Sequence, residues 1–446
     1  MNIIIAGDGE VGLHLAHALS NNNHNITIVD PHEDLLKMVE SNTDLMTITG
    51  DSTSLEVLKR AHVKNADLVI SVLHEEQINL MTAILAKKLG ARQVIARVNT
   101  METLSPKNQL IYTELGIDAL ISPEDIAAHE IISLLKQTAA TEVFDFSEGK
   151  LSMILIKLEE SAPVVYKTLN EIALNYEQLD FRAVAIHRER ETFIPKGDDM
   201  FLPNDLVYVI TKPEAITQLL SLGGKMTFEI HNLMIVGGGR VGRLTAKNLD
   251  KELNIKLIDI DKDRCIALTD YLDNTLVING DARNIQLLED EDIRRMDAFV
   301  ALTDSTETNI LTCLHAKKLG VKRTIALVEN IDYIDLSQNI GIDTIINKKL
   351  IAAGYMVRFT MGADVTSIKC LSGIDADVLE MVARKRSTVT KRPIGKLGFP
   401  AGAIIGGIVR DNTSIIASAD MQINEDDKVV VFALPHAMNK VEKFFR

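Results

Sequence analysis

The chain has 446 residues, 46% of them hydrophobic and 25% charged, with a formal net charge of −14. That length accommodates three or four ordinary domains, and the acidity argues against a nucleic-acid groove and against direct adhesion to anionic lipid. Cys265, Cys313 and Cys370 show neither disulfide nor metal-ligand spacing, so packed thiols in a reducing cytoplasm and no metal site are expected.

Met1 leads straight into a β-like run, without the basic and apolar segments of a secretory leader. Asn2–Ala6 reads as a buried strand, GDGEVG as a turn, and Val11–Leu19 as a helix by its apolar period. Ile26–Val29 is a second strand ending at Asp30, followed by a helix at Leu35–Val39 and a third strand, Met46–Thr49, closing on Gly50 and Asp51. Leu68–Leu73 and Val94–Val98 read as strands flanking a helix at Asn79–Leu89. A last short strand falls within Gly116–Ile121, then a helix over Pro123–Lys136. Strands and helices alternating at this spacing predict a doubly wound parallel sheet.

The text then changes to shorter segments, Leu151–Leu158, Arg182–His187 and Leu206–Thr211, the pattern of a small α+β lobe. Leu222–His231, with Gly223 and Gly224, is the expected linker. Beyond it the order of elements repeats. The strands are Leu233–Val236, Lys256–Ile258, Leu276–Ile278, Ala298–Leu302 and Thr324–Val328, then Gly341–Ile346 and a helix over Lys348–Phe359. A second lobe has strands at Ser367–Leu371, Ala403–Arg410 and Lys428–Ala433, expected to match the first lobe's three in order. Ala401–Val409, the longest nearly uncharged stretch of this half, is too short to span a bilayer.

This is one text written twice. Gly7 and Gly237, Asp51 and Asp281, and the two copies of AKKLG at Ala86 and Ala316 each lie 230 residues apart. The expected fold class is therefore α/β: two tandem Rossmann-like sheets, each followed by an α+β lobe, with boundaries at 1–139, 140–225, 232–361 and 362–446.

GDGEVG (Gly7, Asp8, Gly9, Glu10, Val11, Gly12) and GGGRVG (Gly237, Gly238, Gly239, Arg240, Val241, Gly242) each follow a strand and open a helix. The first glycine permits the tight turn, the second a close diphosphate, the third helix packing. Helix N-terminal N–H groups then face the phosphates. Asp30 and Asp259 end the second strands, where a carboxylate accepts both ribose hydroxyls and repels a 2′-phosphate. Two like charges near 4 Å cost about 4 kcal/mol at a surface-like dielectric, so NAD or an adenine nucleotide is expected and NADP is not. Asp51, with Ser52 beside it, and Asp281 end strand three, where they either cup the adenosine or cap a helix. Glu10 is replaced by Arg240, which welcomes a terminal phosphate, while Arg97 at the end of strand five, expected to reach back across the crevice to a diphosphate, has Leu327 as its counterpart. The expectation is NAD(H) at the first site and, at the second, ATP or ADP, NAD(H), or no ligand.

The segments AGDGEVG, ITIVD, GDSTS, ISVLHEEQIN and ARV, then VGGGRVG, LIDID, GDAR, ALTDSTETN and AKKLG, resemble the RCK (KTN) domain family. PIGKLGFPAGAIIGGIVRDN and INEDDKVVVF are similar to that family's small lobe, as is its first-half counterpart, so the resemblance covers essentially the whole chain. It implies a cytoplasmic subunit, peripheral at the inner face of the cell membrane, that self-associates as a dimer or tetramer of two-module chains. Its implied partner is an integral-membrane potassium channel or transporter subunit, gated as nucleotide reshapes the assembly. One departure is Leu73, followed by His74, where the family has a hydroxyl; the second half keeps Thr303. Any contact from position 73 is then through backbone.

The rival class is an NAD-dependent oxidoreductase, which needs an acid or base beside the nicotinamide. His14 and His17 sit on the first helix, His187 and His436 in the lobes, and they do not cluster. No catalytic residue is assigned. A sensor acting on a soluble partner is a third reading. An acidic subunit complements the basic cytoplasmic loops of membrane proteins, and acidity also serves solubility alone. Apolar faces at Ile126–Leu135 and Leu350–Phe359 either dock module on module or pack within their own module.

Overall fold

A computed structural model describes residues 1–7, 12, 15–16, 19, 24–34, 36–37, 45–100, 102–136, 142–176, 180–189, 191–224, 228–330, 333–360, 365–371, 374 and 376–446. Asp8, Gly9, Glu10 and Val11 lie outside them, as does most of the two helices expected over Val11–Leu19 and Leu35–Val39.

The first sheet holds β1 (Asn2–Ala6), β2 (Asn25–Asp30), β3 (Met46–Thr49), β4 (Leu68–Ser71), β5 (Gln93–Arg97) and β6 (Ala119–Ile121) in the order β3-β2-β1-β4-β5-β6. All its pairings are parallel. Ile3, Ile4, Ile5, Val69, Ile70, Val94 and Ile95 are almost wholly buried, as a sheet covered on both faces requires. After the first lobe, β12 (Asn232–Val236) through β17 (Thr344–Ile346) repeat that order, with β13 Asn254–Asp259, β14 Thr275–Asn279, β15 Ala298–Ala301 and β16 Arg323–Leu327. Both sheets reverse direction of growth between the first and fourth strands, the place where such folds bind nucleotides.

The first lobe is an antiparallel sheet of β7 (Glu142–Phe146), β8 (Leu151–Lys157), β9 (Phe181–Arg188), β10 (Glu191–Phe193) and β11 (Leu206–Thr211), ordered β10-β9-β11-β8-β7. The second has β18 (Val365–Cys370), β19 (Asp377–Val382), β20 (Ala403–Arg410), β21 (Thr413–Ile416) and β22 (Lys428–Ala433), ordered β18-β19-β22-β20-β21. One expected match is corrected. β18, not a counterpart of β8, holds the edge place of β7, and the true equivalent of β8 is β19. Acidic residues inside β7 and β19 hid both strands; Glu380 of β19 is buried because the Ser147 and Thr366 hydroxyls donate to it.

The two lobe sheets share one core, with Phe146, Met153, Tyr208 and Ile210 against Val378, Val430 and Phe432. Gly406 makes this contact possible, since a Cβ there would stand 2.1 Å from Ile210 Cδ1. Each lobe also repeats an ion pair between a half-buried arginine and a buried aspartate. Arg188 donates to Asp205 at 2.8 and 2.7 Å, and Arg410 to Asp427 at 2.9 and 2.7 Å.

The chain forms two compact units, Met1–Ile126 with Lys348–Gly362, and Ala127–Asn347 with Ala363–Arg446. The helix Lys348–Val357 thus belongs to the unit built on the first sheet, and residues 127–136 of the helix Pro123–Lys136 to the unit holding the second.

Asp205→Ala should lower unfolding stability by about 2–4 kcal/mol, because it strands the Arg188 guanidinium and the Leu202 N–H. Asp427→Ala should cost a similar amount. Chemical denaturation of each variant against the parent protein measures both.

Candidate nucleotide sites

Gly7 has φ +124°, and a Cβ on it would crowd Leu73 N and Val72 C at 3.2 Å. An ideal Cβ on Gly12 would lie 2.0 Å from Gly7 O, so position 12 has no room for a side chain. The second turn repeats this, with Gly237 at φ +100° and the Gly242 Cβ again 2.0 Å from Gly237 O. The helix Arg240–Leu249 begins at Gly239 without a side-chain cap, and nothing stands within 4 Å of where a Gly239 Cβ would be. A helix start without a side-chain cap and open space coincide there, as a phosphate requires.

The strand-two carboxylates are both buried, and they differ in company. Asp30 Oδ1 accepts from His32 N at 2.9 Å, and His32 Nδ1 lies 2.8 Å from the same oxygen. Asp259 accepts from Gly238 N at 2.6 Å, from Asp261 N at 2.8 Å and from the Arg264 guanidinium at 3.1 Å. A ribose reaching Asp259 must therefore compete with an arginine that the sequence reading did not connect to it. Arg240, Arg243 and Arg264 line a cavity of about 410 Å³ with Gly238, Gly239, Ala267, Leu268 and Tyr271. Val241 is buried.

The strand-three residues are mostly committed. Asp51 accepts from Thr53 N at 2.8 Å in a turn and does not cap the helix Leu55–Arg60, whose N-cap is Ser54. Ser52 is buried, with its hydroxyl 2.8 Å from that of Thr82, so it faces the core. Asp281 is held by Arg283 at 2.7 Å, and its pKa is lowered first by that hydrogen bond.

Two asparagines missed by the sequence reading join the crevice walls. Asn79 accepts from Leu73 N at 2.8 Å and donates to Leu73 O at 2.9 Å and Arg97 O at 3.1 Å. Asn309 does the same for Thr303 N, Thr303 O and Leu327 O. Their signal was available, since they too lie 230 apart within ISVLHEEQIN and ALTDSTETN. Thr303 Oγ1 donates to Asn309 at 2.6 Å, whereas Leu73 contributes backbone only. His74 is exposed, and its carbonyl accepts from Asn99.

Arg97 turns to Glu124 at 3.2 Å, just past β6, rather than across the crevice. Glu76 anchors the loop after β5, accepting from Asn99 N at 2.5 Å, Thr100 N at 2.7 Å and the Thr103 hydroxyl. Among the described residues no cluster of His, Cys, Asp and Glu is arranged to hold a metal, and no helix is long and apolar enough to cross a membrane.

Against known proteins, the TrkA-N domain matches residues 3–123 and 233–348, and the TrkA-C domain matches 153–222 and 378–446. The chain belongs to the TrkA family. It is 34% identical to the Trk system potassium uptake protein TrkA homolog 1 of Methanosarcina mazei, covering 100% of both chains. It is 30% identical to the TrkA of Halomonas elongata over 100% of this chain and 99% of that one. The GsuK channel bound to NAD shares the fold at 18% identity and TM-score 0.62, covering 100% of this chain and 78% of that one. Every crevice residue nominated from the sequence falls inside the two TrkA-N segments, and Glu124 lies one residue beyond the first.

Gly242→Ala should abolish nucleotide binding at the second crevice, measured by calorimetry on the full chain, because its Cβ displaces the Gly237 carbonyl. Glu76→Gln tests the loop anchor. Burial raises the Glu76 pKa, but hydrogen bonds from Thr103, Asn99 and Thr100 outweigh it, and the net direction is down. Its stabilisation is then complete above the unfolded value of about 4.3 and is lost as pH falls through the lower folded value. The variant should melt below the parent protein at pH 7, and the gap should close in acid.

Proposed function

We propose that this chain is the nucleotide-sensing regulatory subunit of a potassium uptake system, gating a TrkH-like integral-membrane channel or transporter subunit without chemistry on the nucleotide. The observation that carries the reading is the pair of glycine turns with the same carbonyl-to-glycine contact, each beside a buried strand-two carboxylate. The curated relatives that match end to end are named as potassium uptake proteins. At net charge −14 the chain complements basic cytoplasmic loops, which suits a peripheral position at the inner face of the membrane.

In this reading the first crevice takes NAD(H), with Asp30 on the adenosine ribose. The second takes ATP or ADP, with Arg240 and the free helix N-terminus holding the terminal phosphates. The chain assembles as a dimer or tetramer of two-module subunits, so several crevices share the work. Driving a partner from 1:99 to 99:1 open needs roughly 10⁴-fold preference of nucleotide for one shape, and a symmetric ring divides that demand.

Two measurements test this. In calorimetry on the full chain, Gly12→Ala should remove NADH binding and spare ATP, and Gly242→Ala should do the reverse. Loss of NADH binding only in Gly242→Ala would overturn the site assignment. In vesicles carrying the membrane subunit, the Asp30→Ala/Arg97→Ala double variant should uncouple potassium flux from NAD(H). Unaltered coupling sinks the regulatory reading.

A further inference from the structure

Arg97 and Glu124 form an incomplete pair. Their side chains are only 16% and 13% exposed, and the one bond between them runs from Arg97 Nη2 to Glu124 Oε1 at 3.2 Å. Arg97 Nε and Glu124 Oε2 are buried with no hydrogen-bond partner. A buried donor and a buried acceptor left open side by side are costly, and native structures rarely tolerate them without a role.

Their place in the sheet says what that role is. A dinucleotide bound to a doubly wound sheet straddles the point where strand order reverses, here between β1 and β4. Asp30 ends β2, on one side of that point. Arg97 ends β5 and Glu124 follows β6 by three residues, both on the other side. The group that meets them belongs to the half of the ligand distal to the adenosine. It must offer one acceptor and one donor, close together. A phosphate offers acceptors only and is repelled by Glu124. A primary amide offers both.

We propose, on the reading of the first crevice as an NAD(H) site, that Arg97 and Glu124 recognise the carboxamide of the nicotinamide ring. Arg97 Nε donates to the amide carbonyl, and the amide NH₂ donates to Glu124 Oε2. The pair is then the specificity element that separates a nicotinamide dinucleotide from ADP or ATP at this crevice. The second module has Leu327 at the position of Arg97, and Lys349 at the position three past its sixth strand. It therefore has no such reader in its sequence.

The test uses the full chain and takes as first-crevice binding the component lost in Gly12→Ala. Calorimetry compares NAD with ADP-ribose, which keeps the distal ribose and lacks the ring, and with nicotinic acid adenine dinucleotide, whose carboxylate replaces the amide. Both should bind about 10- to 100-fold more weakly than NAD, the scale of one or two hydrogen bonds to charged groups. Glu124→Ala should bring NAD down to the affinity of ADP-ribose and leave ADP-ribose unchanged. Glu124→Gln should narrow the penalty against the carboxylate analogue. Equal affinity of the parent protein for NAD and ADP-ribose overturns the carboxamide reader alone, as does a Glu124→Ala variant that weakens both ligands alike. If Gly12→Ala removes no NAD binding, the NAD(H) reading of the crevice fails and the reader falls with it. The ligand comparison on the parent protein stands even where a variant does not fold.

Discussion

A carbonyl oxygen sitting where a side chain is missing sets the geometry of both crevices. Gly7 O and Gly237 O each lie 2.0 Å from the ideal Cβ positions of Gly12 and Gly242. No residue larger than glycine leaves that oxygen in place, so helix and strand can meet across so short a turn only here. The consequence is directional. At the second crevice the helix Arg240–Leu249 points its uncapped N-terminus over the strand ends, where partial positive charge is useful to a phosphate. Asn79 and Asn309 then hold the fourth and fifth strand ends at a constant distance, so the opposite wall of each crevice is as fixed as the turn.

On this common frame the two modules differ where charge meets ligand. The first sets Asp30 beside His32 and Arg97 beside Glu124. The second sets Asp259 under Arg264 and gathers three arginines around one cavity. Backbone contacts keep the duplicated architecture, since any change there moves a whole strand end. Side chains at the rim can change sign without disturbing the core. Duplicated frames with different side chains at the rim give the two crevices different chemistry. The lobes behave in the same way, keeping the Arg188–Asp205 and Arg410–Asp427 pairs while their surfaces diverge.

Much of the fold was readable. Short runs rich in β-branched and apolar residues mark strands in parallel and antiparallel sheets alike, and β1, β3, β11, β20 and β22 lie where the sequence put them. The helix Pro123–Lys136 also matches its predicted bounds. Strands interrupted by acids were not readable. Glu142–Phe146 and Asp377–Val382 break the apolar pattern with residues such as Glu380, whose partners come from elsewhere in the chain. The glycine turns were legible because their chemistry is local. The direction of Arg97, the inward hydroxyl of Ser52 and the arginine over Asp259 were not, because each depends on a partner on another element.

By itself the amino-acid order settled the duplicated α/β architecture and the positions of the paired glycines. Those follow from spacing and periodicity, which a linear text carries in full. Tertiary structure alone decided that the helix Lys348–Val357 joins the unit of the first sheet, that the lobe sheets share a core, and that Glu124 faces Arg97. A helix with an apolar stripe packs equally well on either module as far as its own residues specify. Only the closure of the whole chain selects the surface it covers and the side chains it brings face to face.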